Sequence, residues 1–425
     1  MRAGVFYIID MIREKNTFYY EEVFLMSKFD LRAIWTAVLM LITIGLIMIY
    51  SASSTKFINS EMHGYDSMYL LKRQAMFAVM GLVVCVVLQY VNYSVLYRVS
   101  ISMYVGGIGM ILLLKTPLGV AVNGATRWIN VLGIQFQVAE FLKISVIVIL
   151  AYMIQHYPEH LSKIEFTAFI WGVGGFAGTL LLFVSNDLSS SLVIFGVTYC
   201  ISFIYTRNEK FHIAVAALLL IAFSVYVLKI KNNMPTAAEL ENMSFRVGRI
   251  AAWLDPERYA SGQGYQTLQA LYAIGSGGFW GKGLGNSTQK IRAIPEGQND
   301  MIFSIICEEL GGFGALLIMF LIGYLCWEIV VVSSSAKNLF GSVLATGVFV
   351  HIFLQSFFNI GVNVNLLPNT GIGLPFISYG GTAVLCQLLE IAMVLSVGRV
   401  ADGKKTINLY KWWKNRRVKI YSSNR

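Results

Sequence analysis

Residues 33–52 read AIWTAVLMLITIGLIMIYSA, with no charged side chain anywhere in the run. A helix needs about 20 mostly apolar residues to cross the hydrocarbon core of a bilayer. Nine further stretches meet that requirement, near 75–92, 95–115, 136–156, 165–184, 189–206, 211–229, 301–332, 339–361 and 378–398. Their Leu, Ile, Met and Phe positions cover the whole helix circumference, and the alternation of a membrane barrel is absent. The 38 glycines allow close helix packing. The sequence predicts an all-α polytopic membrane protein with about ten transmembrane helices.

Composition agrees. The 425 residues are 56% hydrophobic and 13% charged, with a mean hydropathy of +0.63. Soluble domains carry about 25% charged residues, and half that share cannot cover a water-facing surface. The same numbers, with only 7 prolines, exclude a disordered chain. Cys85, Cys200, Cys307, Cys326 and Cys386 all lie in apolar stretches without a CxxC pair or a nearby His. They read as small buried hydrophobes, not as disulfide or zinc partners.

Positive charge orients the spans, because Lys and Arg stay on the cytoplasmic side. With a cytoplasmic N-terminus, the inner segments hold Arg2, Arg13, Lys15, Lys28, Arg32, Arg98, Lys163, Arg207, Lys210 and Lys337. The tail adds nine more, from Arg399 to Arg425, while the short outer loops hold Lys56, Lys72, Arg73, Lys115 and Arg127. An even number of spans returns the C-terminus to the cytoplasm. Trp412 and Trp413, flanked by Lys411 and Lys414, suit an anchor to membrane lipids better than a nucleic-acid contact. The chain divides into a cytoplasmic segment at 1–32, a membrane domain at 33–400 and a basic cytoplasmic tail at 401–425. Residues 1–28 are not a signal peptide, since Asp10, Glu14, Glu21 and Glu22 interrupt any apolar core. Two readings of them stay open: an interfacial cytoplasmic helix, or a true start at Met26.

The longest connection, 230–300, joins spans seven and eight and falls on the extracellular side in this orientation. Loops of that length are usually functional. It holds Arg246, Arg249, Arg258, Lys282, Lys290 and Arg292 against Glu239, Glu241, Asp255, Glu257, Glu296 and Asp300, so it is no simple polybasic patch. The tract from Gly275 to Gly283 could offer backbone N–H groups to a phosphate, but no Ser or Thr follows Lys282 as a Walker loop requires. Its glycines read first as turn formers. Asp300 stands where an apolar helix begins. It reads either as a helix N-cap or as a carboxylate fixed at the membrane–water boundary. Within the spans, Glu140 and Lys143 share a helix face and can neutralise each other. Glu308, Glu309 and Glu390 are further costly charges, and hydrogen bonding between helices would satisfy them. Transport would use similar residues, so charge placement alone does not separate an enzyme from a transporter.

Several tracts together resemble the SEDS family (shape, elongation, division and sporulation). They are Asn123 through Ile129, Gln137 through Lys143, Asn186 through Ser191, Gly264-Tyr265-Gln266 through Gly278, and Gly283 through Lys290. Further along stand Pro295 through Asp300, Glu308-Glu309-Leu310-Gly311, Pro368 through Gly371, and Leu374 through Gly381. The likeness runs in order from about residue 33 to 400, and Gly-Asn-Ser-x-Gln-Lys is closest to the division and sporulation branch. Two departures stand out. Gln298-Asn299 replaces a common His-Thr before the key Asp, and Glu257-Arg258 follows Asp255-Pro256 where a second Asp-Pro is frequent.

The resemblance implies a ten-span peptidoglycan glycosyltransferase of the bacterial cytoplasmic membrane. It would polymerise lipid II into β-1,4 glycan strands at the outer face, paired with a monofunctional class B penicillin-binding protein. By motif match Asp300 would be the essential carboxylate, and Trp128, Glu140, Lys143 and Asp187 fall on family-marked positions. Arg246, Arg249, Lys282, Lys290 and Arg292 are candidates to bind the departing lipid pyrophosphate, alone or with a divalent cation cofactor, Mg2+ or Mn2+, and Arg127 is a further substrate-binding candidate. Two other readings are compatible with ten spans and intramembrane charge: a lipid II flippase and a non-catalytic division scaffold.

Overall fold

The computed structural model describes residues 29–57, 66–122, 125–131, 134–236, 239–240, 243–291, 294 and 297–407. Residues 1–28 and the Trp412–Trp413 tail lie outside them. In chain order the helices are α1 (Leu31–Phe57), α2 (Tyr69–Leu88), α3 (Ser94–Leu113), α4 (Val138–His156), α5 (Ile164–Ser185), α6 (Leu188–Tyr205) and α7 (Glu209–Asn232). Three shorter ones follow, α8 (Phe245–Leu254), α9 (Tyr265–Gly277) and α10 (Thr288–Ile291). The last are α11 (Ile302–Ser334), α12 (Leu339–Asn363) and α13 (Gly381–Ala401). Among the described residues ten of these, all but α8–α10, are long and apolar enough to cross a membrane. The chain is a multi-pass membrane protein, and its spans match the ten apolar stretches.

The spans are not equivalent. The most buried is α4, with 83% of its window inside the bundle, and the least is α7, with 6%. A buried charged pair is therefore expected on α4, where neighbouring helices can satisfy it. Between α3 and α4 the chain forms a small antiparallel sheet that the all-helical reading lacks: β1 (Gly119–Val122), β2 (Ala125–Val131) and β3 (Ile134–Gln137), in that order. Trp128 pairs with Val120 on one side and Gln137 on the other. Such short strands leave little periodic signal, although β2 is rich in the branched and aromatic residues that favour strands. Strand β3 feeds directly into α4, fixing where that helix begins.

Helix α11 is broken at Gly311 (φ 70°, ψ −168°), and the glycine-rich tract fills the break. Lys282 and Gly283 donate their N–H groups to the carbonyls of Glu308 (2.9 Å) and Glu309 (3.0 Å), while Gly312 and Phe313 donate to Gly278 (2.9 Å) and Phe279 (3.1 Å). Backbone groups freed at membrane depth must find such partners. The tract thus closes a helix break, and its Lys282 and Gly283 amides are committed to protein. Contact is too close for side chains: a Cβ on Gly311 would lie 2.3 Å from Gly281 N, and one on Gly277 2.0 Å from Cys307 O.

Side chains strengthen the same junction. Glu308 accepts from Lys282 (2.7 Å), Thr288 Oγ1 (2.9 Å), Thr288 N (3.0 Å) and the Ser287 hydroxyl. Glu309 accepts from Ser51 on α1 at 2.7 Å. The intramembrane glutamates are therefore satisfied partly by the loop and partly by a neighbouring helix. Gly311→Ala should lower stability by about 1–3 kcal/mol, because it forces a side chain into a left-handed backbone. Gly323→Ala in the same helix meets nothing within 4 Å and should leave the thermal midpoint in detergent unchanged or slightly raised. Equal midpoints for the two variants would refute this account of the break.

Candidate functional site

A cavity of about 390 Å³ opens at the end of the bundle where the 233–301 segment lies. Its walls come from β2, α4, α6, α8, the segment before α11, and the 364–380 segment that leads into α13. Arg127, Trp128, Glu140, Lys143, Asp187, Arg249 and Asp300 all line it, drawn from residues 173 positions apart in sequence.

Asp300 is 9% exposed, and the residue at the cap position of α11 is Met301. Gln266 on α9 donates to Asp300 Oδ1 at 3.3 Å. On the other side stands Gly371 (φ 72°), where a Cβ would come within 3.6 Å of Oδ2. The Asp300 backbone is held from α12: Asn359 and Asn363 donate their amide N–H groups to its carbonyl at 2.8 and 2.9 Å.

The cations arrive on separate elements. Arg249 sits on α8, which is fixed to the end of α7 by a small core of Ile230, Leu240, Ile250, Ala251, Ala252 and Tyr259. Trp253 ties the same helix to the carbonyl of Asn365 at 3.1 Å, and Arg249 donates to the carbonyl of Asn369 at 3.1 Å. Burial draws the Arg249 guanidinium below its ordinary pKa. Asp300 and Asp187 pull it back up, while the charge of Arg127 acts with burial. Arginine remains protonated under such shifts, so the cavity holds two fixed cations facing two carboxylates. Arg127, on β2, donates to the Asn186 carbonyl at 3.4 Å. Asp187 caps α6, accepting from Ser190 N (3.1 Å) and Ser190 Oγ (2.8 Å).

Glu140 and Lys143 form the floor. Lys143 Nζ donates to Glu140 Oε1 at 2.9 Å and to Gln355 Oε1 at 3.4 Å. The side chains are 6% and 3% exposed. Glu140 Oε2 is buried and has no hydrogen-bond partner among the described residues. Below this floor His351 and Glu390 pair at 2.8 Å.

Other candidates are placed elsewhere. Lys282 is bound to Glu308, and neither it nor the exposed Arg246 lines the cavity. The side chain of Lys290 and all of Arg292 lie outside the described residues. Uncharged amides complete the lining, notably Gln137, Gln266, Gln355 and Gln387. Gln137 and Gln266 stand in the family-like tracts, whereas Gln355 and Gln387 carry no signal of their own, because an amide in an apolar span reads as helix-to-helix glue. A metal would find no cluster of three or more His, Cys, Asp or Glu side chains among the described residues.

Residues 31–402 match the family described as cell cycle protein, that of FtsW, RodA and SpoVE. Stage V sporulation protein E of Bacillus subtilis is 34% identical over 363 residues, covering 85% of this chain and 94% of that protein. A probable peptidoglycan glycosyltransferase FtsW of Coxiella burnetii is 33% identical, covering 84% of this chain and 93% of that protein. Among solved structures, a chain of a peptidoglycan synthase complex that coordinates polymerization and crosslinking superposes with a TM-score of 0.69 at 22% identity, over 88% of this chain and 98% of that one. The rod shape determining protein RodA of Thermus thermophilus gives 0.59 at 20% identity, over 88% and 98%. At these identities the two structures bear on the fold alone.

The floor pair has a measurable consequence. Removing one partner of a buried ion pair leaves an uncompensated charge and costs about 3–5 kcal/mol. Lys143→Met should therefore reduce folded protein more than Lys143→Met combined with Glu140→Gln. Strict additivity in that double-mutant cycle would show that the two side chains do not interact.

Proposed function

The chain belongs to the FtsW, RodA and SpoVE family, and from that premise we propose that it is a peptidoglycan glycosyltransferase that polymerises lipid II. The observation that carries the reading is the placement of Asp300. It is a nearly buried carboxylate at the mouth of a polar cavity, with two arginines across from it. The excess of Lys and Arg in the segments at the opposite end supports a cavity that faces the outside of the cytoplasmic membrane, with both termini inside.

Lipid II carries an α-linked pyrophosphate on its anomeric carbon, and the strand linkage is β-1,4. One in-line displacement therefore inverts that centre. Asp300 takes the proton of the attacking 4-hydroxyl as its oxygen bonds to the anomeric carbon. The bond to the lipid pyrophosphate breaks, and its electrons leave with the phosphate oxygen. Gln266 steadies Oδ1, and the bare Gly371 backbone leaves room beside Oδ2 for the acceptor sugar. Arg249 and Arg127 are placed to receive the developing pyrophosphate charge. Trp128 and the amide-lined walls suit sugar faces and acetamido groups. Mg2+ is held by one or two carboxylates plus substrate phosphates. Asp300 and Asp187 on the same cavity fit that habit, and such an ion, Mg2+ or Mn2+, would add charge against the pyrophosphate.

The partner proposed is a monofunctional class B penicillin-binding protein, which would crosslink the strands made here. Polymerisation by the purified chain should be slow alone and faster with its cognate partner. Equal rates with and without every such protein of the same organism would remove the partner from this account.

Asp300→Asn keeps the shape of the side chain but cannot accept the hydroxyl proton. It should lower polymerisation by about 10²–10⁴-fold at near-normal abundance and thermal stability. A capping role predicts the reverse, since Asn caps about as well as Asp. Polymer of normal length and rate from purified Asp300→Asn would reject the general base.

A further inference from the structure

We propose that Asn359 and Asn363 of α12 are positioning residues for Asp300, acting on its backbone to set where its carboxylate stands. The inference rests on the reading of Asp300 as the base. The two asparagines lie four residues apart on one face of α12 and are 1% and 0% exposed. Each amide is spent on the region around Asp300. Asn359 Nδ2 donates to the carbonyls of Asp300 (2.8 Å) and Ile372 (2.7 Å). Asn363 Nδ2 donates to Asp300 O (2.9 Å) and Asn359 O (2.9 Å).

The remaining atom gives the arrangement its meaning. In a continuous helix the N–H of Ser304 would bond the carbonyl four residues back, which is that of Asp300. Here Ser304 N–H goes to Asn363 Oδ1 at 3.1 Å, and Asn363 returns its own N–H to Asp300 O. The amide of Asn363 is therefore inserted where one more backbone bond would extend α11 back to Asp300. That insertion starts the helix after Asp300, leaves Met301 at the cap position, and lets the Asp300 side chain turn to the cavity. Asn359 joins the same carbonyl to Ile372, next to the Gly371 that borders Oδ2. The two asparagines thus hold the base and the opposite wall in one register.

Displacing a reacting group by about 1 Å can cost about 10²-fold. Asn359→Leu keeps the branching and the number of side-chain heavy atoms and removes both donations. Per folded molecule, its kcat for lipid II polymerisation should fall about 10–100-fold, with KM within about twofold of wild type. Wild-type kcat in folded Asn359→Leu would overturn the proposal, as would a loss confined to KM. Asn363→Asp decides the case if Asn359→Leu does not fold. It keeps the acceptor for Ser304 and, when protonated, can still donate to Asp300 O, whereas the ionised form repels that carbonyl. Its activity relative to wild type should fall reversibly as pH rises, and a ratio constant with pH overturns the proposal. Asp300→Asn, assayed alongside, separates the two failures. If it is active the base reading falls, and if it is inactive while the asparagine variants match wild type, only the positioning role falls.

Discussion

Taking a charge out of water costs several kcal/mol even after the protein relaxes around it, and this constraint orders the polar residues of the whole bundle. Away from the cavity, these titratable side chains meet polar partners on neighbouring elements. Lys282 closes on Glu308 at 2.7 Å, His351 meets Glu390 at 2.8 Å, and Ser51 binds Glu309 at 2.7 Å. Among the described residues, the cavity is where charges of both signs gather on one surface. Arg127, Arg249, Asp187 and Asp300 line that one cavity.

The same accounting applies to the backbone. Helix α11 begins just after Asp300 and is broken at Gly311, and both places draw on other elements for their backbone bonds. At the break, the glycine tract supplies donors and acceptors to the freed peptide groups. At the start, the Asn363 amide stands in for the backbone bond between Ser304 and Asp300. The long segment between α7 and α11 is therefore a structural part of the site. Its glycines close α11, its α9 brings Gln266 to Asp300, and its α8 brings Arg249 across the cavity.

Much of this was legible in the sequence, for physical reasons. Twenty apolar residues in a row leave little choice but a span, so all ten appeared. Charges inside spans are rare, so Glu140 and Lys143 were visible as a pair before their 2.9 Å contact was known. Asp300 stood out by closing a long loop against an apolar helix. What stayed hidden was anything that depends on the third dimension. Nothing in the chain distinguishes Arg249, which lines the cavity, from Arg246 three residues earlier, which is exposed. Lys282 looked like a phosphate ligand until Glu308 was found beneath it. The strands of β1–β3 are too short to carry a period, and neutral amides do not announce whether they bind substrate or backbone.

The central claim is that this cavity performs chemistry on lipid II at one face of the membrane. The most direct measurement supplies labelled lipid II to the purified chain, with its class B partner, in detergent micelles, where there are no two sides to transport between. The account predicts glycan strands many disaccharides long. Absence of polymer in micelles, together with movement of intact lipid II across vesicles carrying the same protein, would contradict it.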